Sequence, residues 1–123
     1  MDKGFQTLER LLEAAGARHR VLASNIANSD TPGFRARDID FKKVMGEETM
    51  KLQVTDPGHI QPAGAAGAPG EITAEPRDPW ADGNNVELDI EVASMTENAL
   101  LYEAGVSLLS TKMRMLRNAL GGR

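Results

Sequence analysis

The chain has 123 residues, a mass of 13.3 kDa and a formal net charge of -4. That length allows one modest domain with little core, and the absence of cysteine excludes disulfides, thiol catalysis and thiolate metal sites. Residues 44–91 carry ten acidic and two basic side chains, a balance that argues against nucleic acid as a partner.

The opening MDKGFQTLERLLEAAGARHR is interrupted by Glu9, Arg10 and Glu13, so no cleaved secretory signal is expected there. No stretch reaches the roughly 18 apolar residues of a bilayer-spanning helix. Phe5, Leu8, Leu12, Ala15, His19, Leu22 and Ile26 alternate spacings of 3 and 4. This pattern predicts an amphipathic helix from about Phe5 to Ala27, with a seam suited to packing on another helix. Asn28-Ser29-Asp30-Thr31-Pro32-Gly33 should stop it near Asn28: Pro32 holds Thr31 extended and Gly33 permits a turn. Phe34 is expected to fold back onto the helices. Residues 1–41 thus form an amino-terminal unit.

Residues 42–84 form a middle unit expected to be flexible. Between 57 and 85, ten of 29 residues are Pro or Gly, too little apolar material to offset the entropy of ordering. Lys51–Thr55 and Glu71–Thr73 alternate weakly, as in a short hairpin or strands that pair in an assembly. Residues 85–123 hold the strongest signal. Leu88, Val92, Met95, Ala99, Tyr102, Val106, Leu109, Met113, Leu116 and Leu120 alternate spacings of 4 and 3 with no charged member. They predict a helix of roughly 50 Å, with Asn84 and Glu87 at capping-box spacing before it. Glu87, Asp89 and Glu91 near its start, and Lys112, Arg114 and Arg117 near its end, suit the helix dipole.

The expected fold is therefore mainly α: amino- and carboxyl-terminal helices packed as an antiparallel, coiled-coil-like hairpin, with a largely disordered or weakly β central segment. The second helix is about ten residues longer than the first, so part of its seam should stay open. Open seams of this kind usually meet other subunits.

Reactive chemistry finds no footing. His19 lies on the first seam and reads as a packed or interfacial residue; His59 sits in a Pro/Gly loop with no second histidine near it. Asp38, Asp40, Asp78 and Asp82 read as solvated or salt-bridging acids. Gly64, Gly67 and Gly70 lack the flanking strand and helix of a phosphate loop. Met95, Met113 and Met115 suit helix packing better than metal ligation. No catalytic residue, cofactor or metal is expected.

Asn25-Ile26-Ala27-Asn28-Ser29-Asp30-Thr31-Pro32-Gly33-Phe34 resembles the amino-terminal signature of flagellar rod, hook and related axial proteins. Its candidate signature residues are Asn25, Ala27, Asn28, Thr31, Pro32, Gly33 and Phe34. The segments Arg35–Phe41, Asp82–Asp89 and Glu97–Tyr102 are similar to a rod member of that family, in matching order. The resemblance implies a structural subunit of the proximal rod of the bacterial flagellar basal body, self-associating helically and transmitting motor torque. It implies export through the flagellar type III apparatus without a cleaved signal, and a place in the rod across the periplasm. Implied partners are other rod proteins, a rod-base adapter protein and the export gate. Its helix-seam residues would be Leu8, Leu12, Leu22 and Ile26 on the first helix and the stripe from Leu88 to Leu116 on the second. A helical-hairpin binding module or secretion adapter acting as a soluble partner is the alternative; a stable heterodimer with no polymeric location would distinguish it.

Overall fold

A computed structural model describes residues 2–41, 43–44 and 72–121. Helix α1 spans Lys3–Ala27, strand β1 Arg37–Ile39, strand β2 Ile72–Ala74 and helix α2 Leu88–Gly121. The Lys51–Thr55 strand, His59, Gly64, Gly67 and Gly70 lie outside the described residues.

Asp2 caps α1, its side chain accepting from the Gly4 amide at 3.1 Å. At the other end Asn28 caps the helix, at the stop expected from the Asn28–Gly33 segment. Its amide donates to the Ser24 carbonyl at 3.1 Å and its side-chain Nδ2 to the same oxygen at 2.7 Å, satisfying acceptors that a helix end leaves open.

The two helices run antiparallel, as four cross-helix pairs show. Asn25 meets Glu91, Ala15 meets Asn98, Leu12 lies against Gly105, and Asp2 meets Lys112. One partner falls along α1 as the other rises along α2. The buried apolar set among the described residues is small: Ala14, Ala15, Leu22, Ala36, Ile39 and Val86.

Residues 72–84, which composition assigns to the flexible middle, make backbone hydrogen bonds, regular in β2 and individual beyond it. β2 pairs antiparallel with β1, in the register Arg37↔Ala74, Asp38↔Thr73 and Ile39↔Ile72. The partner expected for Ile72-Thr73 in a hairpin was Lys51–Thr55; β1 takes that place. Order here comes from backbone pairing with the segment after α1, which local composition does not report.

The Asn84–Glu87 capping box does not form. Glu91 donates its amide to the Glu87 carbonyl at 3.0 Å, so helical bonding starts three residues past Asn84. Asn84 is buried and engaged elsewhere. His19 is exposed in the free chain, so of the packed and interfacial readings it does not take the packed one. The inner face of α1 runs Ala15, Arg18, Leu22, Asn25: a straight helix drifts by about 20° per heptad against a strict seven-residue repeat, and Arg18 is drawn inward by Asp38.

Candidate assembly interface

The signature after α1 is a turn held from outside. Asn84 Nδ2 shares its two N–H hydrogens among three carbonyls of that turn, those of Asn28 and Ser29 at 2.9 Å and Thr31 at 2.8 Å. Its Oδ1 accepts from the Val86 amide at 2.7 Å. Within the turn, Thr31 Oγ1 donates to Asn28 Oδ1 at 3.2 Å and the Phe34 amide to the Thr31 carbonyl. Gly33 and Gly83 both have positive φ, 75° and 82°, a conformation that L side chains resist. The Gly33 amide donates to the Asp82 carbonyl at 2.9 Å. A Cβ on Gly83 would sit 3.3 Å from Gly33 Cα, so Gly83 suits the approach as well as its dihedral, whereas Gly33 is required by its dihedral alone. Phe34 is half-buried, and its carbonyl accepts from the Asn85 amide at 3.3 Å. Ala27 and Pro32 are exposed.

Two further asparagines tie the segment after the turn to α1, α2 and residues 75–77. Asn25 brackets the Arg37 peptide: its Oδ1 accepts from the Arg37 amide at 3.1 Å and its Nδ2 donates to the Arg37 carbonyl at 2.7 Å. The same Nδ2 donates to Glu91 Oε2 at 2.9 Å. Asn85 Oδ1 accepts from the Ala36 amide at 2.6 Å, while its Nδ2 donates to the Glu75 and Arg77 carbonyls.

Charge inside this region is paired. Glu91, 1% exposed, accepts from Arg77 Nη2 at 2.6 Å. Arg18 forks onto Asp38 with bonds of 2.9 and 3.0 Å and lies 5.8 Å from the centroid of the Phe41 ring. That pairing raises the Arg18 pKa further above its already high ordinary value. The salt-bridging reading of Asp38 therefore holds. Among the described residues no cluster of His, Asp and Glu could hold a metal ion, and no helix is long and apolar enough to cross a membrane.

The inner face of α2 differs from the apolar stripe. Of the stripe, Met95 and Leu109 are half-buried. Leu88, Val92, Ala99, Tyr102, Val106, Met113, Leu116 and Leu120 are exposed, with Tyr102 at 46% and Val106 at 39%. The face turned to α1 carries Glu91, Asn98, Gly105 and Lys112, each seven residues from the next. Asn98 donates to the Ala15 carbonyl at 2.9 Å, and Gly105 is where Leu12 comes closest. Lys112 bonds Asp2 at 2.7 Å and lies 5.1 Å from the Phe5 ring centroid; its tip also rests over Gly4. Lys112 is thus part of the hairpin contact as well as of the basic carboxyl end of α2.

On α1 the seam residues fall as expected apart from His19. Leu22 and Ala15 are buried, and Leu8, Leu12 and Ile26 half-buried. Sequence reasoning missed Asn84, Asn85, Glu91, Asn98 and Gly105 as structural keys. A signal was present: Asn84, Glu91, Asn98, Gly105 and Lys112 repeat every seven residues beside the apolar stripe. Selecting only apolar members of the repeat hid it.

The chain spans nearly the full length of several curated relatives. It is 38% identical to the flagellar basal body rod protein FlgB of Salmonella typhimurium (strain LT2), over 99% of this chain and 96% of that protein. It is 38% identical to the FlgB of Escherichia coli (strain K12), over 98% and 94%. With the FlgB of Cereibacter sphaeroides (strain ATCC 17029) it shares 36%, over 85% of this chain and 84% of the relative. The sequence model of the family described as "Flagella basal body rod protein" matches residues 5–35, which cover most of α1 and the signature turn through Phe34. Nothing in the geometry favours the soluble-adapter alternative.

Proposed function

Because the chain belongs to the family of the flagellar basal body rod protein FlgB, we propose that the exposed stripe of α2 is the surface through which its copies and their neighbours stack into the proximal rod. The chain is a structural subunit of the flagellar rod, not an enzyme, and it assembles with other basal-body components. The observation that carries the proposal is the inversion on α2. The helix turns a polar and small-residue face to its own α1 and leaves Val92, Tyr102, Val106 and Leu116 outside. A contiguous apolar strip along a helix of 34 residues has the length and chemistry for helix-on-helix packing with other chains.

In this reading the signature residues Asn25, Ala27, Asn28, Thr31, Pro32, Gly33 and Phe34 form the corner that fixes how the helical hairpin meets the strand pair. Asn25 and Asn28 act through their hydrogen bonds, Gly33 through its dihedral, and Ala27 and Pro32 present surface to neighbours. Coiled-coil contacts along α2 repeat from subunit to subunit as an open helical array, stiff enough to transmit torque. The rod-base adapter and the export gate are the partners at its base. Export by the type III apparatus without a cleaved signal, and a position across the periplasm, belong to the same reading and rest on the family resemblance.

The test is complementation of a strain lacking the native subunit. Basal bodies imaged by electron microscopy should show no rod in the deletion and complete rods with the wild-type chain. Complete rods in the deletion strain would refute the role.

A further inference from the structure

We infer that Asn98, backed by Gly105 one heptad further on, selects which side of α2 turns toward α1. The helix carries two faces of helical period. One is apolar and includes Val92, Ala99 and Val106; the other holds Glu91, Asn98 and Gly105, each one residue earlier. A rotation of α2 by about 100°, the step of one residue, exchanges them. Burial alone favours the apolar face, yet the polar one is inside.

Three features hold it there. Asn98 Nδ2 donates to the Ala15 carbonyl at 2.9 Å within the helix contact. Glu91 accepts from both Asn25 and Arg77. At Gly105 a Cβ would stand 2.9 Å from Leu12 Cδ2, so Leu12 in its present seat occupies the space that a side chain at this position would fill. Asn98 is the member of this set that is not fully satisfied: it is 1% exposed and its Oδ1 has no hydrogen-bond partner. An orphaned buried acceptor opposes folding. Its presence in the contact marks a residue that serves the choice of face more than the stability of the hairpin, as single buried asparagines do in coiled coils. This inference concerns the isolated chain and stands whether or not the exposed stripe meets other subunits.

The chain has no cysteine, so Val106→Cys places a single thiol on the outward face. In that background the full-length chain should react with a maleimide in one fast phase. Adding Asn98→Leu keeps the branching of the side chain and replaces its polar atoms by methyl groups. The urea midpoint should then stay equal or rise, and a second population should appear whose thiol reacts more slowly by at least about fivefold, as α2 samples the rotated packing. Either of two results overturns the inference: one fast phase unchanged by Asn98→Leu, or a lowered midpoint or lost helicity, which would make Asn98 an ordinary stabilising contact.

Discussion

Among the described residues, Asn84 ties together more backbone groups than any other asparagine. One amide group serves three carbonyls of the signature turn and its oxygen caps the Val86 amide. Asn84→Ala removes a buried donor that the turn cannot replace from water without opening. We expect a loss of about 2–3 kcal/mol, read as a lowered midpoint in urea denaturation, with α2 retained. Glu91 holds a comparable position among the charges. Glu91→Ala removes the nearer partner of Arg77, leaving it Glu75 at 4.0 Å and some solvent access, and leaves Asn25 without its acceptor on α2. The expected loss is about 2–4 kcal/mol, whereas Glu91→Gln keeps an acceptor oxygen and should cost less. Equal midpoints for the two variants would show that the negative charge, and not acceptance alone, is what Arg77 requires.

At the scale of the helices, α2 separates folding from assembly by face. Val106→Asp puts a carboxylate on the exposed stripe, where water still reaches it in the free subunit. Circular dichroism and the urea midpoint should change little, within about 0.5 kcal/mol. Rod assembly and motility in a complemented strain should fail, because the carboxylate would be desolvated between subunits. Gly105→Leu is the inverse: the new side chain collides with Leu12, and the free subunit should lose about 1–3 kcal/mol from overpacking. Wild-type motility with Val106→Asp would remove the stripe from the interface.

The free end of the hairpin is held by charge. Asp2 bonds Lys112 and the Gly4 amide, and these contacts, the Lys112 bond foremost, hold its carboxyl below the ordinary value of 3.8. A carboxyl depressed on folding adds stability that is present above its unfolded pKa and lost as pH falls through the lower folded value. The first turns of α1 should therefore loosen on acidification below about pH 3.8. Amide exchange at Phe5 and Gln6 can follow this. Asp2→Asn, which cannot titrate, should flatten that part of the profile.

At the scale of the molecule, the apolar core among the described residues is too small to dominate. Ala14, Ala15, Leu22, Ala36, Ile39 and Val86 are its described members, and four asparagines and a glutamate are buried beside them. Such a molecule gains definition from specific hydrogen bonds and leaves its larger apolar side chains to the surface. That division suits a subunit whose remaining burial occurs in an assembly.

The sequence by itself determined the two helices, their antiparallel order and the corner between them. Helical period, Pro32, Gly33 and the asparagine-rich stop are local facts, and backbone geometry reads them locally. It also led to the expectation of open apolar surface on α2, but from the unequal helix lengths; Val92, Ala99 and Tyr102 are exposed alongside α1, so the face turned outward, and not the overhang, leaves the stripe open. Only the tertiary structure decided which face of α2 lies inside. Two sets of residues shared the same heptad spacing one position apart, and periodicity cannot rank them. The choice depends on partners remote in sequence: the Ala15 carbonyl for Asn98, Leu12 for Gly105, Asn25 and Arg77 for Glu91 and Asp2 for Lys112. The pairing of β2 with β1 was settled in the same way, because a strand's partner is fixed by backbone groups brought near through the fold, and a short alternating segment carries no record of which strand that will be.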